Sequence, residues 1–131
     1  MDREQALNTF WNSFGVPAYD KNSVPTDAEF KARSIEPFPR ITYDVTVNDF
    51  GTPTSLFASI WTRETGWGII TALAHKIDSR LSEGGHTVNY DDGVLWIKKG
   101  NPFQQRMDDP EDKAIRRIIV NIEVEYLEGK K

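Results

Sequence analysis

The reading of this chain turns on Ile118-Ile119-Val120-Asn121-Ile122-Glu123-Val124-Glu125-Tyr126-Leu127. Ile118, Val120, Ile122, Val124 and Tyr126 fall on one side of an extended backbone, while Arg117, Asn121, Glu123 and Glu125 fall on the other. Side chains alternate with a period of two along a strand, so the pattern predicts a strand with one buried face and one polar face. A sheet with one apolar face needs a second layer, and helices can supply it.

Upstream, Lys98 to Lys113 reads as a long polar loop, although Phe103 and Met107 make it more than a solvated linker. Val88 to Tyr90 and Val94 to Ile97 flank Asp91-Asp92-Gly93, a strong hairpin signal. Gly84-Gly85 closes a helix that starts with Thr65 as its cap and runs to about Glu83. Its apolar stripe is Trp67, Ile70, Leu73, Ala74, Ile77 and Leu81, and Gly66 and Gly68 weaken its first turn. Before it, a strand over about Ser55 to Thr62 turns Leu56, Ala58 and Ile60 inward. Phe57 and Trp61 then lie on the opposite face, where large apolar groups need a cover.

Residues 40–48 also alternate, with Ile41, Tyr43, Val45 and Val47 set against Thr42, Asp44, Thr46 and Asn48. Asn48-Asp49-Phe50-Gly51 reads as the turn that follows. Residues 16–39 carry Pro17, Pro25, Pro37 and Pro39 and read as an irregular arm, with one helical turn over Ala28–Arg33 capped by Asp27. The chain opens on an amphipathic helix. Asp2 and Gln5 have capping-box spacing, Leu7, Phe10, Trp11 and Phe14 form one stripe, and Gly15 and Pro17 stop it.

The expected fold is therefore α+β: a four- to five-stranded, mainly antiparallel sheet with two helices packed on one face, plus the Pro-rich arm. At 131 residues the chain is read as one domain, spanning 1–131. A formal charge of −4 argues against a protein whose main work is gripping a nucleic-acid backbone. The absence of cysteine excludes disulfides, thiolate zinc sites and cysteine nucleophiles. The polar opening Met1-Asp2-Arg3-Glu4 lacks the apolar run of a signal peptide, so the expected place of synthesis and residence is the cytosol. No membrane partner is expected.

A search for catalytic chemistry is mostly negative. His75 and His86 read as a helix-surface residue and a solvated junction residue. No Gly-rich phosphate loop and no G-x-S-x-G setting occurs. Asp108, Asp109, Glu111 and Asp112, with Asp91 and Asp92, are the one group that could hold a divalent cation. Their spacing does not match a calcium loop, and Pro110 suggests a solvated turn. A metal-dependent nuclease is the weaker enzymatic alternative; the expectation is a non-enzyme with no cofactor and no metal.

Four Trp, four Tyr and seven Phe are many for this length. Two helix stripes and the sheet absorb only part of them, and aromatics concentrate in cores and permanent interfaces. Phe57, Trp61, Phe103, Met107 and Arg106, with Tyr19, Phe30 and Phe38 of the arm, are the candidate contact residues of a symmetric oligomer.

Several segments, in order, resemble the tail terminator (tail-completion) proteins of long-tailed bacteriophages, including the small minor capsid proteins of head–tail joining. They are the opening helix Met1 to Trp11, Val16-Pro17-Ala18-Tyr19, and Phe38-Pro39-Arg40-Ile41-Thr42-Tyr43. Leu95-Trp96-Ile97-Lys98-Lys99-Gly100-Asn101-Pro102-Phe103 and Arg116-Arg117-Ile118 leading to Asn121-Ile122-Glu123-Val124-Glu125 complete them. The stretch Phe30 to Pro37 is longer than that pattern expects. The resemblance implies a structural virion protein forming a homo-hexameric ring at the head-proximal end of the tail tube. Such a ring stops tube polymerisation in the tail-neck region after assembly in the host cytoplasm. The implied partners are further copies of the chain, the major tail tube protein, the head-closure or adaptor connector and the tape measure protein. Genomic DNA would pass through the channel without specific binding. Another neck protein, of the head-closure or adaptor kind, is the alternative within the same location.

Overall fold

The computed structural model describes residues 1–46, 52–108 and 112–128. Its elements, in chain order, are α1 (Arg3–Trp11), β1 (Ala18–Asp20), α2 (Asp27–Ala32), β2 (Arg40–Tyr43), β3 (Thr54–Arg63), α3 (Gly68–Arg80), β4 (His86–Tyr90), β5 (Gly93–Asp108) and β6 (Ile115–Glu128). The six strands form one mixed sheet in the order β1-β2-β3-β6-β5-β4. Among the described residues only the β1–β2 pair is parallel. The α+β class and the antiparallel majority follow the expectation; the number of strands and helices exceeds it.

The alternating stretch quoted above lies at the centre. β6 pairs with β3 from Thr54↔Val124 to Arg63↔Ile115 and with β5 on its other side. Ile118, Val120, Ile122, Val124 and Tyr126 are buried, and they share the inner face with Leu56, Ala58, Ile60, Leu95 and Ile97. α1 and α3 cover that face with Leu7, Phe10, Trp11, Ile70, Leu73 and Ile77. Among the described residues no helix is long and apolar enough to cross a membrane.

The α1 capping box is present as expected: Gln5 N–H donates to Asp2 Oδ1 at 2.8 Å and Asp2 N–H to Gln5 Oε1 at 2.9 Å. A 3₁₀ turn over Asn12–Phe14 follows, and Gly15 ends it at φ 86°.

Four expectations are corrected. The Lys98–Lys113 segment is not a loop up to residue 108. It continues β5 and pairs again with β6 from Gln104↔Val120 to Asp108↔Arg116. The register breaks between Lys99 and Gln104, where Gly100-Asn101-Pro102-Phe103 bulge opposite Asn121. The strand was hidden because its inner face there is polar, and those polar groups have partners. Gln104 Nε2 donates to the Ala74 carbonyl at 2.9 Å, and Arg106 lies 4.7 Å over the Trp67 ring.

The arm, second, is not without structure. β1 runs along β2 with Ala18↔Ile41, and α2 brings Phe30 against Tyr19, ring centroids 6.1 Å apart. The cap of α2 is Thr26 rather than Asp27: its hydroxyl accepts from Glu29 N–H at 3.2 Å, and Glu29 Oε1 accepts from Thr26 N–H. Third, the first alternating strand stops at Tyr43. Val45 packs on the core beyond it, while Val47 and the Asn48–Gly51 turn lie outside the described residues.

Fourth, Thr65 does not cap α3. Glu64 does this at a distance, accepting from Ile69 N–H at 3.0 Å and Ile70 N–H at 3.1 Å. Burial alone would raise the Glu64 carboxyl. The Thr62 hydroxyl, those two amides and the Arg116 charge outweigh it and hold the carboxyl below the usual range. Glu64→Ala is therefore expected to cost about 1–2 kcal/mol of stability, the size of a lost helix cap, whereas Thr65→Ala should leave the melting curve in place. Thermal denaturation of the two variants checks this.

Candidate functional site: the uncovered sheet face

The strand parity that buries the inner face turns Arg40 and Thr42 of β2, Phe57, Ser59 and Trp61 of β3, and Arg117 of β6 outward. The cross-strand registers Arg40↔Trp61↔Arg117 and Thr42↔Ser59 place them side by side. The Arg117 guanidinium lies 4.6 Å from the Trp61 ring centroid and that of Arg40 5.9 Å from it. Arg40 also lies 4.8 Å over Phe38 and 5.7 Å over Phe30, and Arg63 lies 5.4 Å over Phe38. Such contacts each contribute roughly 0.5–1 kcal/mol at exposed sites and more where water is excluded.

Hydrogen bonds fix the rotamers. Trp61 Nε1 donates to Thr42 Oγ1 at 2.9 Å and Arg117 Nε to Ser59 Oγ at 3.0 Å. Between these groups lies an open cleft of about 560 Å³, bordered by the Lys21–Asp44 ion pair (2.9 Å) and by Phe57. Phe57 is 50% exposed. Arg40 is the least satisfied group of the set: among the described residues its buried Nε has no hydrogen-bond partner, and its Nη1 donates to the Pro37 carbonyl at 3.4 Å. Burial presses its guanidinium below the usual range, against the opposing charge of Asp27. Among the described residues neither Arg40 nor Arg117 has a carboxylate within 4.0 Å.

The candidate contact residues divide into three groups. Trp61, Phe57, Phe38 and Tyr19 lie on this face or its β1–β2 margin, and Met107 joins them across β6, opposite Arg117. Phe30 is buried at 3% exposure, so its ring serves the subunit's own packing. Phe103 and Arg106 are on the helix side instead. Phe103 packs against the core under Lys99, and Arg106 and Arg116 lie 4.7 Å and 5.1 Å from the Trp67 ring centroid.

The arginines Arg40 and Arg117 were missed as site residues. Strand alternation alone placed Arg117 on the polar face; only the register brings it beside Trp61.

Among the described residues the acidic group does not converge. Asp112 pairs with Arg63 at 2.9 Å and accepts from Ala114 N–H, Asp91 pairs with the terminal ammonium of Met1, and Asp109 and Glu111 lie outside the described residues. Among the described residues no three His, Cys, Asp or Glu side chains come together as a metal site. His75 is exposed at the helix surface as expected. His86 is half-buried, its ring 5.7 Å from that of Phe10, and burial with the charge of Arg80 lowers its pKa.

Comparison of the chain with protein-family models, curated proteins and solved structures returns no match.

Proposed function

We propose that the chain is a ring-forming structural protein of the tail-terminator kind. It would cap the head-proximal end of a phage tail tube and present its other side to the head connector. The observation that carries the assembly part of this reading is the sheet face with no helix layer over Phe57 and Trp61. It holds a half-exposed phenylalanine, a tryptophan and two arginines without a carboxylate ion pair among the described residues. A monomer gains nothing from leaving such a patch in water, whereas an interface is built from large aromatics and arginines. The phage assignment rests on the sequence resemblance. In this reading further copies of the chain and the tube protein are the first partners, with the connector and tape measure protein beyond them. A heterologous ring closes on itself and so ends the growth of the tube.

Trp61→Ala is expected to weaken self-association by roughly 30-fold or more, the effect of losing a hot-spot aromatic. Its melting temperature should stay within a few degrees of wild type. Sedimentation velocity and thermal denaturation read the two effects separately, and an unchanged oligomer would remove Trp61 from the interface. Cryo-microscopy of the virion neck tests the whole reading. A ring of this chain between tube and connector is the expected result; its absence there would overturn the terminator assignment.

A further inference from the structure

The cleft holds two guanidiniums that form no ion pair among the described residues, Asp27 acting on Arg40 only from beyond ion-pair range. Arg40 and Arg117 flank Trp61 and have no carboxylate within 4.0 Å among the described residues, and Arg40 Nε is buried without any partner. A desolvated cation without an anion is costly, and the fork of an arginine matches a carboxylate in two-point contact.

The same chain gathers carboxylates at the opposite end of the sheet. Gly93 pairs with Glu128 there, so the β4–β5 turn with Asp91 and Asp92 sits at the end of β6. The start of α1 is tied to that turn, because Asp91 N–H donates to the Met1 carbonyl at 2.8 Å and Arg3 bonds Glu128 at 2.9 Å. Asp2 and Glu4 are exposed beside them, and the Asp91 side chain, which pairs with the Met1 ammonium at 2.7 Å, is still 76% exposed. A strand advances about 3.3 Å per residue, so β6 holds Arg117 and Glu128 roughly 36 Å apart. That is several times the screening length of about 8 Å at physiological salt. The acidic end cannot reach or screen the cleft of its own subunit. It can reach that of a neighbour.

We infer that a second copy of this chain seats its acidic β4–β5 turn and the start of its α1 in the Arg40–Trp61–Arg117 cleft, joining subunits head to tail. The inference rests on the ring reading above and names the two surfaces that make the ring. The contact is heterologous: each subunit offers one cleft and one acidic end, so it propagates until the rotation closes. Phe57 lines the cleft, and the incoming turn would cover it.

Charge exchange tests this on the full chain. One variant reverses the cleft (Arg40→Glu with Arg117→Glu) and the other reverses the acidic end (Glu4→Lys with Asp91→Lys). In sedimentation velocity at low salt, wild type should assemble, each variant alone should lose the assembled species, and an equimolar mixture should regain it. The mixture recreates one native and one inverted contact per pair. Arg117→Glu alone, which gives up a bond to Ser59 and the contact with the Trp61 ring but leaves Arg40 in place, guards against misfolding of the double cleft variant and should also lose assembly. Circular dichroism melts confirm that each variant is folded. If wild type assembles and the variants assemble equally well, the pairing is wrong while the ring reading stands. A wild type that stays monomeric at low salt also overturns the pairing, because an ionic contact is strongest there; the virion-neck experiment then decides the ring separately. A mixture that fails to reassemble removes the acidic turn as the occupant of the cleft.

Discussion

Replacing Trp11 by alanine should destabilise the fold by about 3–5 kcal/mol, the range for emptying a buried tryptophan site. Trp11 is 1% exposed. Its ring meets Phe10 edge-on at 4.9 Å, Phe14 at 6.3 Å, and stacks on Tyr43 of β2 at 6.4 Å. It therefore joins α1, the 3₁₀ turn after it and the sheet, and those elements cannot close over the void together. A domain of this size commonly has only about 5–15 kcal/mol in hand, so the variant should melt about 10 °C or more below wild type. Phe57→Ala is the control: a ring already half in water should shift the melt by only a degree or two. If the two variants melt alike, the assignment of Trp11 to the core and Phe57 to the surface is wrong.

Gly85→Ala should lose at least about 3 kcal/mol, and Gly84→Ala about 1 kcal/mol. The chain leaves α3 and enters β4 through Glu83 at φ 55°, Gly84 at φ 96° and Gly85 at φ 86°. An alanine at 84 meets only the left-handed backbone penalty, since no atom lies within 4 Å of its Cβ. At 85 the Cβ would stand 2.2 Å from the Ile97 carbonyl oxygen and 3.1 Å from Lys98 Cγ. The first is backbone of the paired strand and cannot step aside without breaking the β4–β5 ladder. Urea denaturation of the two variants separates the penalties; equal midpoints would show that the close approach at Gly85 does not exist.

The elements that were legible in the sequence are those whose packing is one-sided. The α1 stripe, the inward residues of β3, the α3 stripe and the alternation of β6 each report a single apolar face. Local periodicity is a direct image of that condition. β1 and the far half of β5 were not legible. Ala18-Tyr19-Asp20 is too short to show a period and lies beside proline. Gln104 to Asp108 has polar residues on its inner side because they bond a helix carbonyl and pack on Trp67. Glu64 was missed as a cap because it reaches Ile69 and Ile70 from outside the helix.

The candidate site shows the same division. Strand alternation placed Phe57, Trp61 and Arg117 on outer faces from the sequence, and the aromatic character of Phe57 and Trp61 suggested contact. It did not place Arg40 beside Trp61, bring Phe38 over Arg40, or move Phe103 and Arg106 to the helix side. Those facts depend on which strands are neighbours and in what register, and a one-residue slip in either pairing would dissolve the cleft.

By itself, then, the sequence determined an acidic, cysteine-free α+β chain with apolar stripes that fix which faces are dry, because burial is written into local periodicity. Only the tertiary structure decided that Phe57 stays half exposed on the outer sheet face, that two arginines meet a tryptophan there, and that carboxylates collect at the far end of the same strands. Those relations join residues distant in sequence through sheet order and register, and no local pattern encodes them.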